Sequence, residues 1–284
     1  MNLAVGFFDG VHLGHRRIIE RADAVLTFTN HPATVYAPER APSLLMTTEE
    51  RIHALEADGA RRVEAREFTP ALAAQQPSEF ADSLRRDFPE LDTVFCGANW
   101  TFGAGGAGTP DLLRGMGFHV EVVPFESWRG ERISSTRIRA ALGEGDVAAA
   151  AAMLGRPYAA SGCIVPGKGE GRKLGFPTLN IVPALGDLPL ARGVYAVETP
   201  LGRGVANWGV APTMGDSAWK EPVLEVHLLS AQPEPPPAAL SVSFTAFIRP
   251  ERTFATIEEL KAQIASDCAT ACNFNQQPAA DNCG

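Results

Sequence analysis

From Asn2 to about Ala150 the chain alternates short apolar runs with stretches in which apolar residues recur every three or four positions. "NLAVGFF", "AVLTF", "RRVEAREF", "DTVFCG" and "HVEVVPF" read as strands, and "TTEERIHALEADG" and "PSEFADSLRRDF" read as helices. This order predicts βαβ units: an α/β, Rossmann-like domain with a parallel sheet between helices. Thr48 is placed to cap the first of those helices, with Glu49 and Glu50 at the positive end of its dipole and Gly59 as its stop. "STRIRAALGEGDVAAAAAMLGRPY" then reads as a helix, a glycine break, an Ala-rich helix and a stop at Gly155 to Pro157. A boundary falls there, giving domains 1–155 and 156–284. Beyond it "YAASGCIVPG", "GVYAVET", "GRGVANWGV", "PVLEVHLLS" and "LSVSFTAFIR" are strands separated by Gly and Pro, which predicts a small antiparallel β-barrel. Ile257, Leu260 and Ile264 at helical spacing predict a closing helix over Thr256 to Asp267, with a frayed polar tail after Asn273.

Bulk properties narrow the functional classes. A chain of 284 residues suits two domains that each bury a core, and no apolar run approaches the roughly 20 residues a membrane helix needs. The N-terminus enters a strand without a leader pattern, so a cytoplasmic location is expected. A net charge of −8 repels nucleic acid over most of the surface, and anionic ligands must be met by local devices. The odd, scattered cysteines (Cys96, Cys163, Cys268, Cys272 and Cys283) read as free thiols. A metal clip from the last three lacks a fourth ligand.

The string "GFFDGVHLGH" at Gly6 to His15 carries the first chemistry. With a strand at Leu3 to Phe7 and a helix from Arg16, the turn Gly10 to His15 lies at the carboxyl edge of the sheet, where open α/β sheets bind ligands. Gly6, Gly10 and Gly14 let backbone approach a ligand, the helix start offers N–H groups, and His12 and His15 add donors, a set suited to a nucleotide triphosphate. A zinc site would need a third ligand. Eleven residues separate His15 from Thr27, which leaves about two turns for the first helix.

The string resembles the G-x-F-D-G-x-H-x-G-H signature of nucleotidyltransferases in the form found in bacterial FAD synthetases. "TFTNHP" at Thr27 to Pro32 is similar to that family's T-F-x-P-H-P, and "ISSTRIR" at Ile133 to Arg139 to its distal phosphate-binding loop. The resemblance implies that Gly6, Phe8, Asp9, Gly10, His31, Asn99, Ser135 and Thr136 bind nucleotide, with His12, His15 and Arg137 as the catalytic set. In "CGANWTFG", Trp100 and Phe102 offer rings that could stack on a flavin or adenine. The implied reaction is in-line attack of the FMN phosphate on the α-phosphorus of ATP, with Mg2+ and no covalent enzyme intermediate.

Further on, "LGRPYAASGCIVPGKGEGRKLGFPTLNI" resembles the opening of riboflavin kinase. Gly167, Lys168, Gly169, Gly171 and Arg172 would face phosphate oxygens, while Thr178 and Asn180, two apart on an extended segment, would bring a hydroxyl and an amide oxygen to Mg2+ and ATP. "GVANWGVAPTM" is similar to the family's G-V-A-N-x-G-x-x-P-T-F, with Met214 for phenylalanine, and Glu225 in "LEVHLLS" is implied as the general base toward the riboflavin 5′-hydroxyl. "SAQPEPPPAALSV" stands where the family has an acidic residue and a Leu-Tyr-Gly turn, and "FIRPERTF" returns to its pattern, including Arg249. The whole is identified as a member of the bacterial bifunctional riboflavin kinase/FMN adenylyltransferase family, acting on riboflavin, FMN and ATP with no nucleic-acid or membrane partner. A riboflavin kinase with an inactive N-domain, or a flavin-nucleotide binding module without turnover, are the narrower readings.

Overall fold

The computed structural model describes residues 1–167, 169–209 and 222–274. Lys168, Met214 and Cys283, and the tail from 275, lie outside the described residues. The chain divides into two compact units, Met1–Ser135 and Thr136–Gly284.

The first unit runs β1 (Asn2–Val5), α1 (Leu13–Ile19), β2 (Ala24–Phe28), α2 (Ala33–Tyr36), α3 (Thr48–Ala57), β3 (Arg62–Arg66), α4 (Pro70–Ala73), α5 (Pro77–Asp87), β4 (Thr93–Gly97), α6 (Pro110–Gly115) and β5 (His119–Val123). A two-stranded hairpin, β6 (Ser127–Trp128) and β7 (Glu131–Arg132), follows. The five long strands form a parallel sheet in the order β3-β2-β1-β4-β5. Period-2 alternation divides the strand residues between two cores. Leu3, Val5, Leu26 and Val94 pack with Phe80 and Leu84 of α5, while Ala4, Val25 and Phe95 pack with Ile18 and Ile19 of α1 and Leu55 of α3. Leu55 and Leu84 are fully buried, and each contributes about 1.5–3 kcal/mol relative to exposure.

The local elements agree with the sequence pattern in kind and differ from it in detail. The first strand stops at Val5 rather than Phe7, because the chain leaves the sheet at Gly6 to begin the turn. The first helix has the expected two turns but starts at Leu13, with His12 as its cap, so His15 lies inside it and not before it. Thr47, not Thr48, caps α3: its hydroxyl accepts from Glu50 N–H while the Glu50 carboxylate accepts from Thr47 N–H, a reciprocal capping box. The Thr48 hydroxyl instead donates to the Thr29 carbonyl.

The second unit takes in most of α7 (Ser135–Gly143), then α8 (Val147–Leu154), β8 (Tyr158–Val165), α9 (Glu170–Leu174), β9 (Leu179–Pro183), β10 (Gly193–Thr199), β11 (Gly202–Gly209), β12 (Val223–Leu228), β13 (Ala239–Pro250) and α10 (Ile257–Phe274). Asp146 caps α8 by accepting from Ala149 N–H. Among the described residues β10-β11-β12-β9-β8-β13 close a barrel of antiparallel pairs. Tyr195, Trp208, Leu224, Val226, Val242 and Phe244 are fully buried in it. Helix α10 reaches Phe274 rather than stopping at Asp267, since Cys268 and Ala271 continue its apolar stripe onto Val194, Ala196 and Val205. Arg249 is tied to Asp267 by a two-pronged ion pair at 2.8–3.1 Å. Cys268, packed in that cluster, has its thiol pKa pushed up by burial and by Asp267. Among the described residues no group of three His, Cys, Asp or Glu could hold a metal, and Cys268 packs in the apolar cluster under α10.

Candidate functional sites

At the carboxyl end of β1 the backbone enters a strained turn. Phe8, Gly10 and Val11 have φ of 57°, 80° and 41°, a region that costs a β-branched residue on the order of 1–3 kcal/mol. The surroundings hold the chain there. Thr27 Oγ1 donates to the Phe7 carbonyl at 2.9 Å, Ser135 Oγ donates to the Asp9 carbonyl at 2.9 Å, and both Asp9 carboxylate oxygens accept from Leu45 N–H at 3.0 and 3.2 Å. Asp9 is only 2% exposed and Phe8 3%. In this state both face the protein, and they shape the turn from beneath. A Cβ on Gly6 would lie 2.9 Å from the Phe8 ring, and one on Gly14 would lie 3.3 Å from the His12 ring. Those two glycines therefore make room for side chains of the turn itself.

The two histidines are brought together. His12 Nδ1 accepts from His15 N–H at 3.2 Å, so the His12 ring proton belongs on Nε2. The rings stack with centroids 3.5 Å apart and planes at 17°, and Phe8 meets His15 edge-on at 5.3 Å. His15 Nδ1 is buried without a hydrogen-bond partner. Burial first, then His12 and Arg132, hold the His15 pKa well below its ordinary value of 6.5. His15 is therefore neutral at pH 7. It can donate a hydrogen bond to an anion, but it does not bring the standing positive charge that a phosphate-neutralising role would use.

Around the turn, His31 Nδ1 accepts from Ala33 N–H at 3.0 Å and its ring meets Phe7 edge-on at 4.7 Å. Asn99 is exposed just beyond β4. Trp100 stacks on Phe102 at 4.9 Å, and Phe102 is buried among Phe80 and its neighbours, so this aromatic pair packs as core. Ser135 opens α7, with Thr136 and Arg137 in the same first turn. The sequence motifs do not include Arg51. Its guanidinium is fully buried, lies 4.2 Å over the Phe7 ring and donates to the Phe28 carbonyl, with Nε and Nη1 left without hydrogen-bond partners. A single arginine within a helical pattern carries no sign of such a position.

The residues expected to form the second site lie on the outer face of the barrel. Strand register sets Glu225 of β12 between Asn180 of β9 and Asn207 of β11. Inward-pointing Leu224, Val226, Leu179 and Ile181 are all buried, which turns Asn180, Asn207, Glu225 and His227 outward. Thr178 sits one step before β9, on the same side as Asn180. The expected glycine loop is in fact compact: α9, with Gly169 at its start and Gly175 at its end, folds the segment back so that Phe176 N–H reaches the Gly171 carbonyl at 2.8 Å. A Cβ on Gly167 would meet Asn180 Nδ2 at 2.0 Å, and one on Gly171 would meet the Phe176 carbonyl at 2.4 Å and Thr178 Oγ1 at 3.3 Å. Backbone thus lies directly over the Thr178–Asn180 pair. The Glu225 carboxyl pKa is raised, by desolvation first and then by Glu251. Arg172 pairs with Glu234 at 3.1 Å across the surface.

Two family profiles match in series: FAD synthetase over residues 1–137 and riboflavin kinase over residues 154–275. The bifunctional riboflavin kinase/FMN adenylyltransferase of Bacillus subtilis is 33% identical, and that of Escherichia coli K12 is 35% identical. Each alignment covers 96% of this chain and 92% of the relative. A solved structure described as a macrolide-efflux protein from Streptococcus pneumoniae superposes with a TM-score of 0.84 at 26% identity, covering 96% of this chain and 93% of that one. No described helix here is long and apolar enough to cross a membrane.

Proposed function

The chain belongs to the bifunctional riboflavin kinase/FMN adenylyltransferase family, and from that premise we propose how its own residues divide the work. The enzyme uses ATP twice, phosphorylating riboflavin to FMN and adenylylating FMN to FAD.

In the kinase unit Glu225 takes the proton from the riboflavin 5′-hydroxyl as that oxygen attacks the γ-phosphorus of ATP. Its raised pKa makes it a better proton acceptor than an ordinary carboxylate. Thr178 and Asn180 would hold ATP and Mg2+, and Arg172 would turn from Glu234 to a phosphate. Oxygen-only donors suit Mg2+, which takes few protein ligands beside phosphate and water. Bound there, the ion would offset charge on the transferring phosphoryl group. Lys168 and Gly169 are assigned to the same phosphates.

In the adenylyltransferase reaction the stacked pair His12 and His15 donates to the triphosphate from the start of α1. Ser135, Thr136 and Arg137 meet the departing pyrophosphate, and Gly6, Phe8, Asp9 and Gly10 hold the strained turn that receives the nucleotide. His31 and Asn99 line its rim. Charge neutralisation falls to Arg137, and Mg2+ would share it when bound, since His15 is neutral and brings an N–H but no charge. We place the enzyme in the cytoplasm, where Cys96, Cys163, Cys268 and Cys272 stay reduced.

The observation that carries the kinase assignment is the register placing Glu225 beside Asn180 under Gly167. Riboflavin, FMN and FAD followed together by chromatography with ATP and Mg2+ test the whole reading. Asn180→Ala should abolish FMN formation and spare FAD formation from supplied FMN. Loss of both reactions in a folded Asn180→Ala variant, or FMN without FAD from the wild type, would refute the division of labour.

A further inference from the structure

The carbonyl oxygen of Pro177 is held from two sides. His227 Nδ1 lies 2.8 Å from it, and Gln232 Nε2 donates to it at 2.8 Å. A carbonyl only accepts, so His227 must carry its proton on Nδ1, and two donors match the two lone pairs. The two come from different places. His227 is on β12, two residues beyond Glu225 and on the same outward face, with its ring edge against Phe176 at 5.5 Å. Gln232 comes from the proline-rich segment between β12 and β13, whose Glu234 also reaches Arg172.

We propose that His227 and Gln232 are positioning residues for the kinase reaction, clasping the Pro177 carbonyl so that the Thr178 hydroxyl is presented beside Asn180. The peptide joining Pro177 to Thr178 is planar, so gripping its oxygen fixes the orientation of the Thr178 N–H and restricts where the Thr178 side chain leaves the backbone. Thr178 itself precedes β9 and lacks the ladder bonds that hold Asn180; the clasp takes their place. The proline-rich segment thereby acquires a role in the kinase unit, because the Gln232 amide secures the entry to β9 from outside the barrel.

The inference rests on Thr178 and Asn180 forming the ATP site, so the experiment carries Thr178→Ala as its control. Steady-state FMN formation is measured against ATP concentration, and FAD formation from supplied FMN is measured in the same preparations. Gln232→Ala removes one neutral hydrogen bond in an irregular surface segment, and kcat/KM for ATP should fall about three- to tenfold, mainly through KM. Gln232→Glu, which sets a second acceptor against the carbonyl, should fall further. His227→Asn, whose side-chain amide reaches the Nδ1 position, should retain most activity, whereas His227→Gln should not. FAD formation should stay at the wild-type level throughout. Wild-type kinetics in Gln232→Ala and Gln232→Glu, with Thr178→Ala impaired, would overturn the clasp alone. Wild-type kinetics in Thr178→Ala would overturn the site on which it rests. An equal loss of both reactions in the Gln232 variants would also overturn it, since that pattern reports damage to the protein and not to one site.

Discussion

Gly167→Ala isolates the close approach of backbone to Asn180. The added methyl would sit 2.0 Å from Asn180 Nδ2, about 1.4 Å short of ordinary contact. The Asn180 backbone cannot retreat, because its strand is paired on both sides, to Val165 and to Glu225. Either the backbone at Gly167 lifts or the Asn180 amide rotates out of line with Thr178. A displacement of about 1 Å at a reacting centre costs on the order of a hundredfold in rate, or about 2.7 kcal/mol of transition-state stabilisation. Gly167 is exposed, so the global fold should lose little. The assay is chromatographic FMN formation under kcat/KM conditions, with FAD formation from FMN as the internal reference and Gly115→Ala, which meets nothing within 4 Å, as the benign substitution. A kinase rate within about twofold of wild type would refute the argument that this glycine exists to admit Asn180.

Two further outcomes follow from the first unit. The folded-state pKa of His15 lies below 6.5, so on acidification the unfolded chain takes up the proton first. The stability this residue contributes is complete above about pH 6.5 and is lost as pH falls from there toward the folded pKa, by up to about 1.4 kcal/mol per pH unit. Urea unfolding at about pH 5.5 and about pH 7.5 should therefore show a smaller pH difference in His15→Gln than in wild type, and equal differences would contradict a buried neutral imidazole. Thr47→Ala removes half of the capping box on α3 and should cost about 1 kcal/mol in unfolding free energy. Thr48→Ala should cost less, and the reverse ranking would sink the cap assignment.

Signals that act within a few residues were legible in the sequence. The apolar run "AVLTF", alternation in "LEVHLLS", the glycine break before α8 and the order of the phosphate-handling motifs pointed to the α/β unit, the barrel and the two chemistries. The motif strings also named Thr178, Asn180 and Glu225, but not that Glu225 and Asn180 would be direct neighbours across 45 positions of chain. Barrel closure decides that register, because the pairing that buries Leu179, Ile181, Leu224 and Val226 inside leaves only one way for the polar set to meet outside. Arg51 under Phe7, the charge state of His15 and the grip of Gln232 on Pro177 were invisible for the same reason. Burial and hydrogen bonding belong to groups that converge from distant segments, and no short window of sequence contains both partners.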